Sequence, residues 1–339
     1  MHEQQELARI AVDEAHCISE WGHDFRTSFK KLRWFRQSFP DVPIMCLTAT
    51  ATPRVRQDVI ITLGLVEDNM KVFTMTTSRP NLHYEVRFKN DAEDHFDNFL
   101  HWLQGVYKRR SENPERKAEL DARNERPDNV PGIIYTLFRD DCEKLAARLR
   151  SHNIGARPYH AGLANDVRNE TLTRWVNNDV GFDIIVATTA FGMGIDKENV
   201  RFVVHWRLPK SFEGFYQESG RAGRDGKASV CMLYYSREDR DRVINMINWD
   251  NSKKELNQEA RKKSLQSLVN YCEDTESCRQ LMISRYFGES ELPPCDFACD
   301  WHKDKAALRK AKKERLSSEE WVSTQREAGH FDSVYDCYD

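Results

Sequence analysis

Five short apolar runs punctuate this chain: Leu7–Val12 (LARIAV), Ile44–Thr50 (IMCLTAT), Gly132–Tyr135 (GIIY), Asp183–Ala187 (DIIVA) and Arg201–Trp206 (RFVVHW). Runs of this length, rich in Ile and Val, read as buried strands. Helical patterns lie between them. Thr52-Pro53 is a start signal for a helix over Val55–Leu63, stopped by Gly64, and Asp140–Arg150 (DDCEKLAARLR) is a second helix. Strands alternating with helices argue for parallel α/β layers.

The length of 339 residues leaves room for two domains and a small appendage. With 31% charged and 40% hydrophobic residues, the composition fits a soluble globular chain with ample core. A net charge of −3 means that any nucleic-acid footprint must be local. No apolar run reaches membrane-spanning length, and the N-terminus MHEQQELARI lacks the pattern of a secretory signal. Nine cysteines point to reduced thiols or a metal site, hence a nuclear or cytosolic compartment. The stretch from Tyr107 to Asn129 is charged, carries two prolines and reads as a mobile surface insertion. From Arg237 the chain turns helical and polar, then cysteine-rich. It ends in a basic helix (KDKAALRKAKKERL) and a loose polar tail.

Several motifs carry chemistry. Asp13, Glu14 and His16 sit at the carboxyl end of the first strand. There Asp13 can hold Mg²⁺, Glu14 can polarise an attacking water, and His16 can relay the nucleotide state. Trp21, Phe25 and Phe29 stand among polar and basic groups, and aromatics beside Arg26 can stack on bases. Gly192 to Asp196 (GMGID) follows a strand, and its glycines allow close approach to phosphates. Arg221 and Arg224, three apart on an expected helix, share a face and can clamp charge on a γ-phosphate. Cys278, Cys295, Cys299 and His302 form C-x16-C-x3-C-x2-H, a donor set that suits tetrahedral Zn²⁺. Cys272 is the reserve ligand. Cys17, Cys46, Cys142, Cys231 and Cys337 read as ordinary thiols. The basic tail helix could hold phosphates, but a solvated face is the commoner reading of a charge run.

The order of DEAH, WGHDFR, LTATAT, IIYTLFR, YHAGL, VATTAFGMGID and QESGRAGRDG closely resembles the RecQ family of superfamily-two DNA helicases, from about Leu7 to His302. YYSREDRDRV and the cysteine spacing look closest to its RecQ five subgroup. The resemblance implies two RecA-like parallel-sheet lobes, the first incomplete, then a small helical zinc-binding subdomain. The implied division is 1–79 partial first lobe, 80–236 second lobe with the charged insertion near 107–129, 237–303 zinc subdomain and 304–339 basic helix and tail. It also implies ATP with Mg²⁺, Zn²⁺, single-stranded or 3′-tailed DNA as partner, 3′→5′ unwinding in repair and recombination, and a monomer. Asp13, Glu14 and His16 match the hydrolysis residues. Trp21, Phe25 and Arg26 match the loop coupling DNA to hydrolysis, and Thr48 and Thr50 the motif linking both sites. Arg139, His160 and Thr188 fall in motifs that track the DNA backbone. Gly194 and Asp196 lie at the interlobe cleft. Gln217, Arg221 and Arg224 reach toward ATP, with Arg224 favoured as the finger. The family has cysteine where this chain has His302.

The sequence has no G-x-x-x-x-G-K-[S/T] segment; Gly226-Lys227 is followed by Ala228, and position 221 is arginine. The expectation is therefore a chain that lacks the front half of its first lobe and does not hydrolyse ATP unaided. The residual first lobe should be aggregation-prone, and lobe two able to fold. Three readings remain: a helicase, a DNA-binding or regulatory module without hydrolysis, and a protein-interaction module.

Overall fold

The computed structural model describes residues 7–323 apart from 20–21, 23–24, 91–93, 124, 193–194, 250–254, 291–294 and 296–298. The expected polar tail beyond 323, with Cys337, lies outside the described residues. The chain opens with two parallel strands, β1 (Ile10–Val12) and β2 (Ile44–Cys46), paired from Ile10–Ile44 to Val12–Cys46. Both are shorter than the apolar runs that contain them, because each has one partner and the ladder stops where that partner stops. After the short α1 (Arg33–Ser38), α2 (Pro53–Leu63) begins at Thr52, whose Oγ1 accepts from the Val55 N–H, with Pro53 at the first helical position. It ends at Gly64 in the left-handed region, φ 69°. Val55, Val59 and Leu63 recur every four residues on one face and bury against Val12, Ala15 and Ile18.

The second sheet has six strands, all parallel: β3 (Leu82–Phe88), β4 (Gly132–Tyr135), β5 (Ala156–Tyr159), β6 (Ile184–Ala187), β7 (Phe202–His205) and β8 (Ser229–Tyr235), in spatial order β3-β8-β7-β4-β6-β5. Three of these, β4, β6 and β7, lie where the sequence places apolar runs. β3, β5 and β8 were not foreseen, although LHYEVRF alternates with period two. Around the sheet run α3 (Phe96–Glu112), α4 (Pro114–Ala122), α5 (Arg139–Arg150), α6 (Asn165–Val176) and α7 (Phe212–Ser219). One face carries Ile134, Val186, Val204 and Met232 against Phe99 and Leu103 of α3 and Leu145 and Leu149 of α5. Gly132 sits on this face because a Cβ there would lie 2.0 Å from the Phe202 ring.

The expected mobile insertion over 107–129 is instead helical from α3 through α4. Asn113 caps α4 by accepting from the Arg116 N–H at 3.0 Å. Leu120 is fully buried, and Arg110, 7% exposed, pairs with Glu125 at 3.1 Å. Charge density disguised an amphipathic hairpin whose large apolar group on α4, Leu120, points inward.

The opposite face of the sheet is closed by the chain after Ser236: α8 (Arg237–Trp249), α9 (Glu255–Glu273), α10 (Arg279–Tyr286), the short α11 (Asp300–Lys303) and α12 (Lys305–Ser323). Tyr84, Val203, Leu233 and Tyr235 of the sheet share one core with Leu268 and Tyr271 of α9, Ile283 of α10 and Leu308 and Leu316 of α12. The core thus runs on across the boundary expected after residue 236, and this second face of the sheet is completed by the helices that follow.

The segment joining the two sheets is clasped by α10. Gln280 Nε2 donates to the Arg79 carbonyl at 3.1 Å, Ser78 donates to Gln280 at 3.2 Å, and the Thr77 and Ser284 hydroxyls meet at 3.0 Å. Glu289 accepts from the Thr77 N–H. Just before it, Gly288 (φ 77°) lies so near the first lobe that a Cβ would come within 2.4 Å of Pro53. Among the described residues no helix is long and apolar enough to cross a membrane.

Candidate functional site

A cleft of about 460 Å³ opens between the two sheets. From the first it is lined by Glu14, His16, Cys17 and Arg26. From the second come Tyr135, Thr136, Thr189, Gly192, Lys210, Gln217 and Arg221. The strand-end carboxylates are held by their own backbone. Glu14 takes a left-handed conformation, φ 49° ψ 43°, and its N–H donates to Asp13 Oδ1 at 2.8 Å. A non-glycine residue in this region is strained, and such strain clusters where side-chain direction matters. Glu14 is presented to the cleft with His16 Nδ1 3.3 Å from its carboxylate. His16 is 2% exposed, and its Nδ1 also meets Thr48 Oγ1 at 3.0 Å. Thr48 in turn accepts from the Thr50 N–H at 3.2 Å. The strand-end acids and the LTATAT segment are therefore in one hydrogen-bonded chain.

The aromatic segment follows directly. Arg26 N–H donates to the Cys17 carbonyl at 2.9 Å, and its guanidinium lies 5.9 Å from the Phe29 ring. Phe25 faces Lys30, whose ammonium is 5.4 Å from the ring. Arg26 reaches the cleft, whereas Phe25 is not among its lining residues. Trp21 and Gly194 lie outside the described residues.

The paired arginines correct one expectation. α7 ends at Ser219, and Arg221 and Arg224 follow it in a turn that includes Gly223 at φ 56°. They do not share a helical face. Arg221 is 7% exposed and lines the cleft; Arg224 turns away to Asp196 Oδ1 and the Ile195 carbonyl, both at 3.1 Å. Gln217, on α7 itself, lines the cleft beside Arg221.

On the second lobe, Arg139 opens α5 and His160 follows β5. A Cβ on Gly162 would lie 3.2 Å from His160 Nδ1 and 3.4 Å from Arg139 Nη1, so this glycine lets the two approach. His160 Nε2 meets Glu143 at 3.0 Å. Thr188 extends β6, with its N–H on the Tyr159 carbonyl at 3.3 Å and its Oγ1 accepting from Ala190. These three residues line up along the carboxyl ends of β4 to β6, where α/β sheets bind ligands.

The metal donors converge. Cys278, Cys295, Cys299 and His302 offer one ligand atom each, all within 4.8 Å of one another. Cys299 Sγ is 3.9 Å from both Cys278 and Cys295 Sγ, and 3.2 Å from His302 Nδ1. A tetrahedral ion with metal–sulfur bonds of about 2.3 Å needs sulfur separations of roughly 3.8 Å, so the donor set fits Zn²⁺. A hydrogen bond from Cys299 holds the Cys278 thiol below its ordinary value, and the same bond, with burial, pushes Cys299 up to about 12. Three thiols this close cannot all ionise without a cation. Cys272 is fully buried and outside the cluster, whereas His302 lies within it, so the reserve is set aside. The site is stitched to the sheet edge. Cys299 bridges Tyr84 of β3, and Asp300 accepts the Val86 N–H at 2.9 Å and the Arg279 guanidinium at 2.9 and 3.2 Å.

Sequence reasoning missed three cations of the cleft: Arg207, Lys210 and Arg261. Arg207 and Lys210 lie in WRLPKS just before α7, which could have drawn attention. Arg261 sits in EARKKS on α9, and nothing local distinguishes it from a solvated basic run.

Residues 116–226 match the family model of the helicase conserved C-terminal domain, and residues 237–303 that of the RecQ zinc-binding domain. The RecQ-like DNA helicase BLM of Xenopus laevis is 42% identical over 294 residues, 87% of this chain and 20% of that protein. ATP-dependent DNA helicase Q5 of Mus musculus is 40% identical over 324 residues, 94% of this chain and 31% of that protein. ATP-dependent DNA helicase RecQ of Bacillus subtilis is 40% identical over 287 residues, 84% and 43%. The chain spans between a fifth and less than half of these relatives, and the 42% and 40% likenesses to BLM and Q5 are nearly equal. Among solved structures, a single-residue variant of S. cerevisiae Dbp5 bound to RNA and ADP BeF3 superimposes with a TM-score of 0.51 at 19% identity, covering 89% of this chain and 63% of that one; it shows the fold.

Proposed function

The chain belongs to the RecQ family of helicases, and on that premise we propose that its interlobe cleft binds single-stranded DNA and the phosphates of ATP, in the service of 3′→5′ DNA unwinding during repair and recombination in the nucleus. The observation that carries this reading is the convergence on one cleft of Glu14, His16, Arg26, Gln217 and Arg221, from opposite lobes. Asp13 would hold Mg²⁺ and Glu14 would orient the attacking water, a role its left-handed backbone favours. Bound nucleotide with its metal supplies the phosphoanhydride to be cleaved. Arg221 would stabilise charge on the terminal phosphate from across the cleft. Arg224 would join it after release from Asp196. Arg139, His160 and Thr188 would follow the DNA backbone.

A second reading has its own observation. No phosphate-cradling G-x-x-x-x-G-K-[S/T] stands in these 339 residues, and the backbone amides and lysine of such a loop normally hold the β- and γ-phosphates. We infer that the chain unaided binds DNA and zinc without hydrolysing ATP. The deciding measurement is DNA-stimulated ATP hydrolysis by the purified, zinc-loaded chain, with Glu14→Gln and Arg224→Ala as controls. Absent hydrolysis with retained single-stranded DNA binding supports the binding module. Hydrolysis lost in Glu14→Gln assigns autonomous catalysis. Failure to bind either ligand sinks both readings.

A further inference from the structure

We propose that Arg261, on α9 of the zinc-binding region, is a phosphate-contacting residue of the interlobe cleft. The inference rests on the reading of that cleft as an anion site and adds to it a contribution from a third part of the chain.

Arg261 lines the cleft together with Arg26, Arg207, Lys210 and Arg221. The acidic lining groups among the described residues are Glu14 and Glu218, and Glu218 is engaged by His205 Nε2 at 2.8 Å. Arg207 is matched by Asp141 at 3.3 Å and Asp239 at 3.0 Å. The cationic lining groups therefore outnumber the acidic ones, and Arg261 is one of them. A guanidinium in that position suits phosphate oxygens, which accept its forked donors.

The helix that carries Arg261 is anchored beside it. One turn further along the same helix face, Ser264 Oγ accepts from the Phe212 N–H at 2.9 Å and donates to Glu213, while Tyr286 donates to the other oxygen of Glu213 at 2.6 Å. Glu213 is 3% exposed and Ser264 7%. This buried clasp ties α9 to the first turn of α7, immediately after Lys210. The bland alternative treats Arg261-Lys262-Lys263 as one solvated run. The structure separates them: Lys262 and Lys263 are exposed, whereas Arg261 is half-buried at the cleft.

The test uses the zinc-loaded 339-residue chain and two probes, a fluorescent oligo(dT) titrated over a salt series and ATP with Mg²⁺ followed by calorimetry. Arg261→Gln is expected to weaken binding about fivefold and, for the oligonucleotide, to lower the salt slope by about one. Arg261→Lys should recover most of the affinity, and Lys262→Gln should change nothing. Loss confined to oligo(dT) assigns the phosphodiester backbone; loss confined to ATP assigns the nucleotide's phosphates; either supports the proposal. Arg261→Met, which keeps the aliphatic stem, gives the same reading if the glutamine variant loses zinc. Unchanged affinity and slope in Arg261→Gln and Arg261→Met, while Arg26→Gln and Arg221→Gln weaken binding, overturns the inference and leaves the cleft reading intact. Absence of binding by the native chain removes the cleft reading and the inference with it.

Discussion

Both sheets of this protein are parallel and both are fed by short apolar runs, yet one is enclosed and the other is not. In the six-stranded sheet each face has its helices, one edge carries Pro158, and the other is bridged by Cys299 at Tyr84. The two-stranded sheet has α2 on one side and a small core. Eight large hydrophobic residues between Trp34 and Met75 are exposed, including Phe73 at 89% and Met75 at 94%; in the remainder of the described chain there are four. Strand-forming sequence is the same in both places. What differs is which stretch of chain supplies the cover. In the second sheet one cover is the region that holds the metal donors, so the packing of Tyr84, Leu233 and Tyr271 is tied to a cluster of thiols.

The strongest way to break that contrast is to remove the metal. Chelation of the zinc-loaded chain is expected to abolish apparent stability on the order of 10 kcal/mol, with the near-ultraviolet dichroism of the buried aromatics lost in the same transition. Survival of that signal after zinc release would mean that the covering helices and the sheet are independent. A smaller effect tests the buried ions beneath the cover. Lys89 and Asp239, 1% and 0% exposed, pair at 2.6 Å, and Asp239 also holds Arg207 and Arg242 at 3.0 Å. Asp239→Ala strands these cations and should destabilise the chain by about 3–5 kcal/mol in denaturant titration. Retention of native stability would show that the network is hydrated.

Acid pH sharpens the comparison further. Burial, with Lys89 and Arg207 nearby, pulls His95 down to about 4, and its ring lies 4.1 Å from Trp206. The folded state keeps this imidazole neutral, so stability is complete above about pH 6.5 and is lost as pH falls from there toward about 4. His95→Gln should flatten that limb by about 2 kcal/mol, measured by urea midpoints between about pH 7 and 4. The smallest stability change belongs to the open region. Phe73→Ser with Met75→Ser is expected to move the unfolding midpoint by less than about 0.5 kcal/mol, while reducing dye binding and self-association in sedimentation. A large loss of stability would show that these side chains are covered in solution.

Much of this architecture was readable beforehand, and the omissions have physical causes. β4, β6 and β7 match their apolar runs to within a residue at each end, since central parallel strands are apolar on both faces. β3 was overlooked because it is an edge strand with polar groups on alternate positions, and its LHYEVRF lacks a continuous run. The α3–α4 hairpin was hidden by ion pairs that solvate a helix without opening it. The zinc donors were legible because coordination demands donor atoms at short spacing. Arg261 was not, because its role depends on a helix meeting a cleft whose other walls come from distant parts of the chain. The turn at Gly220 broke the helix on which Arg221 and Arg224 were expected to align.

The clasp on residues 77–79 has a mechanical consequence. A connector between two lobes ordinarily acts as a loose string, but here Gln280, Ser284 and Glu289 grip it, and Gly288 rests against Pro53. Any swing of the first lobe then turns about a fulcrum seated on the zinc side. Travel is least at that fulcrum and greatest at the far lip of the opening, and the stiffness of the pivot is set by whatever keeps α10 in place.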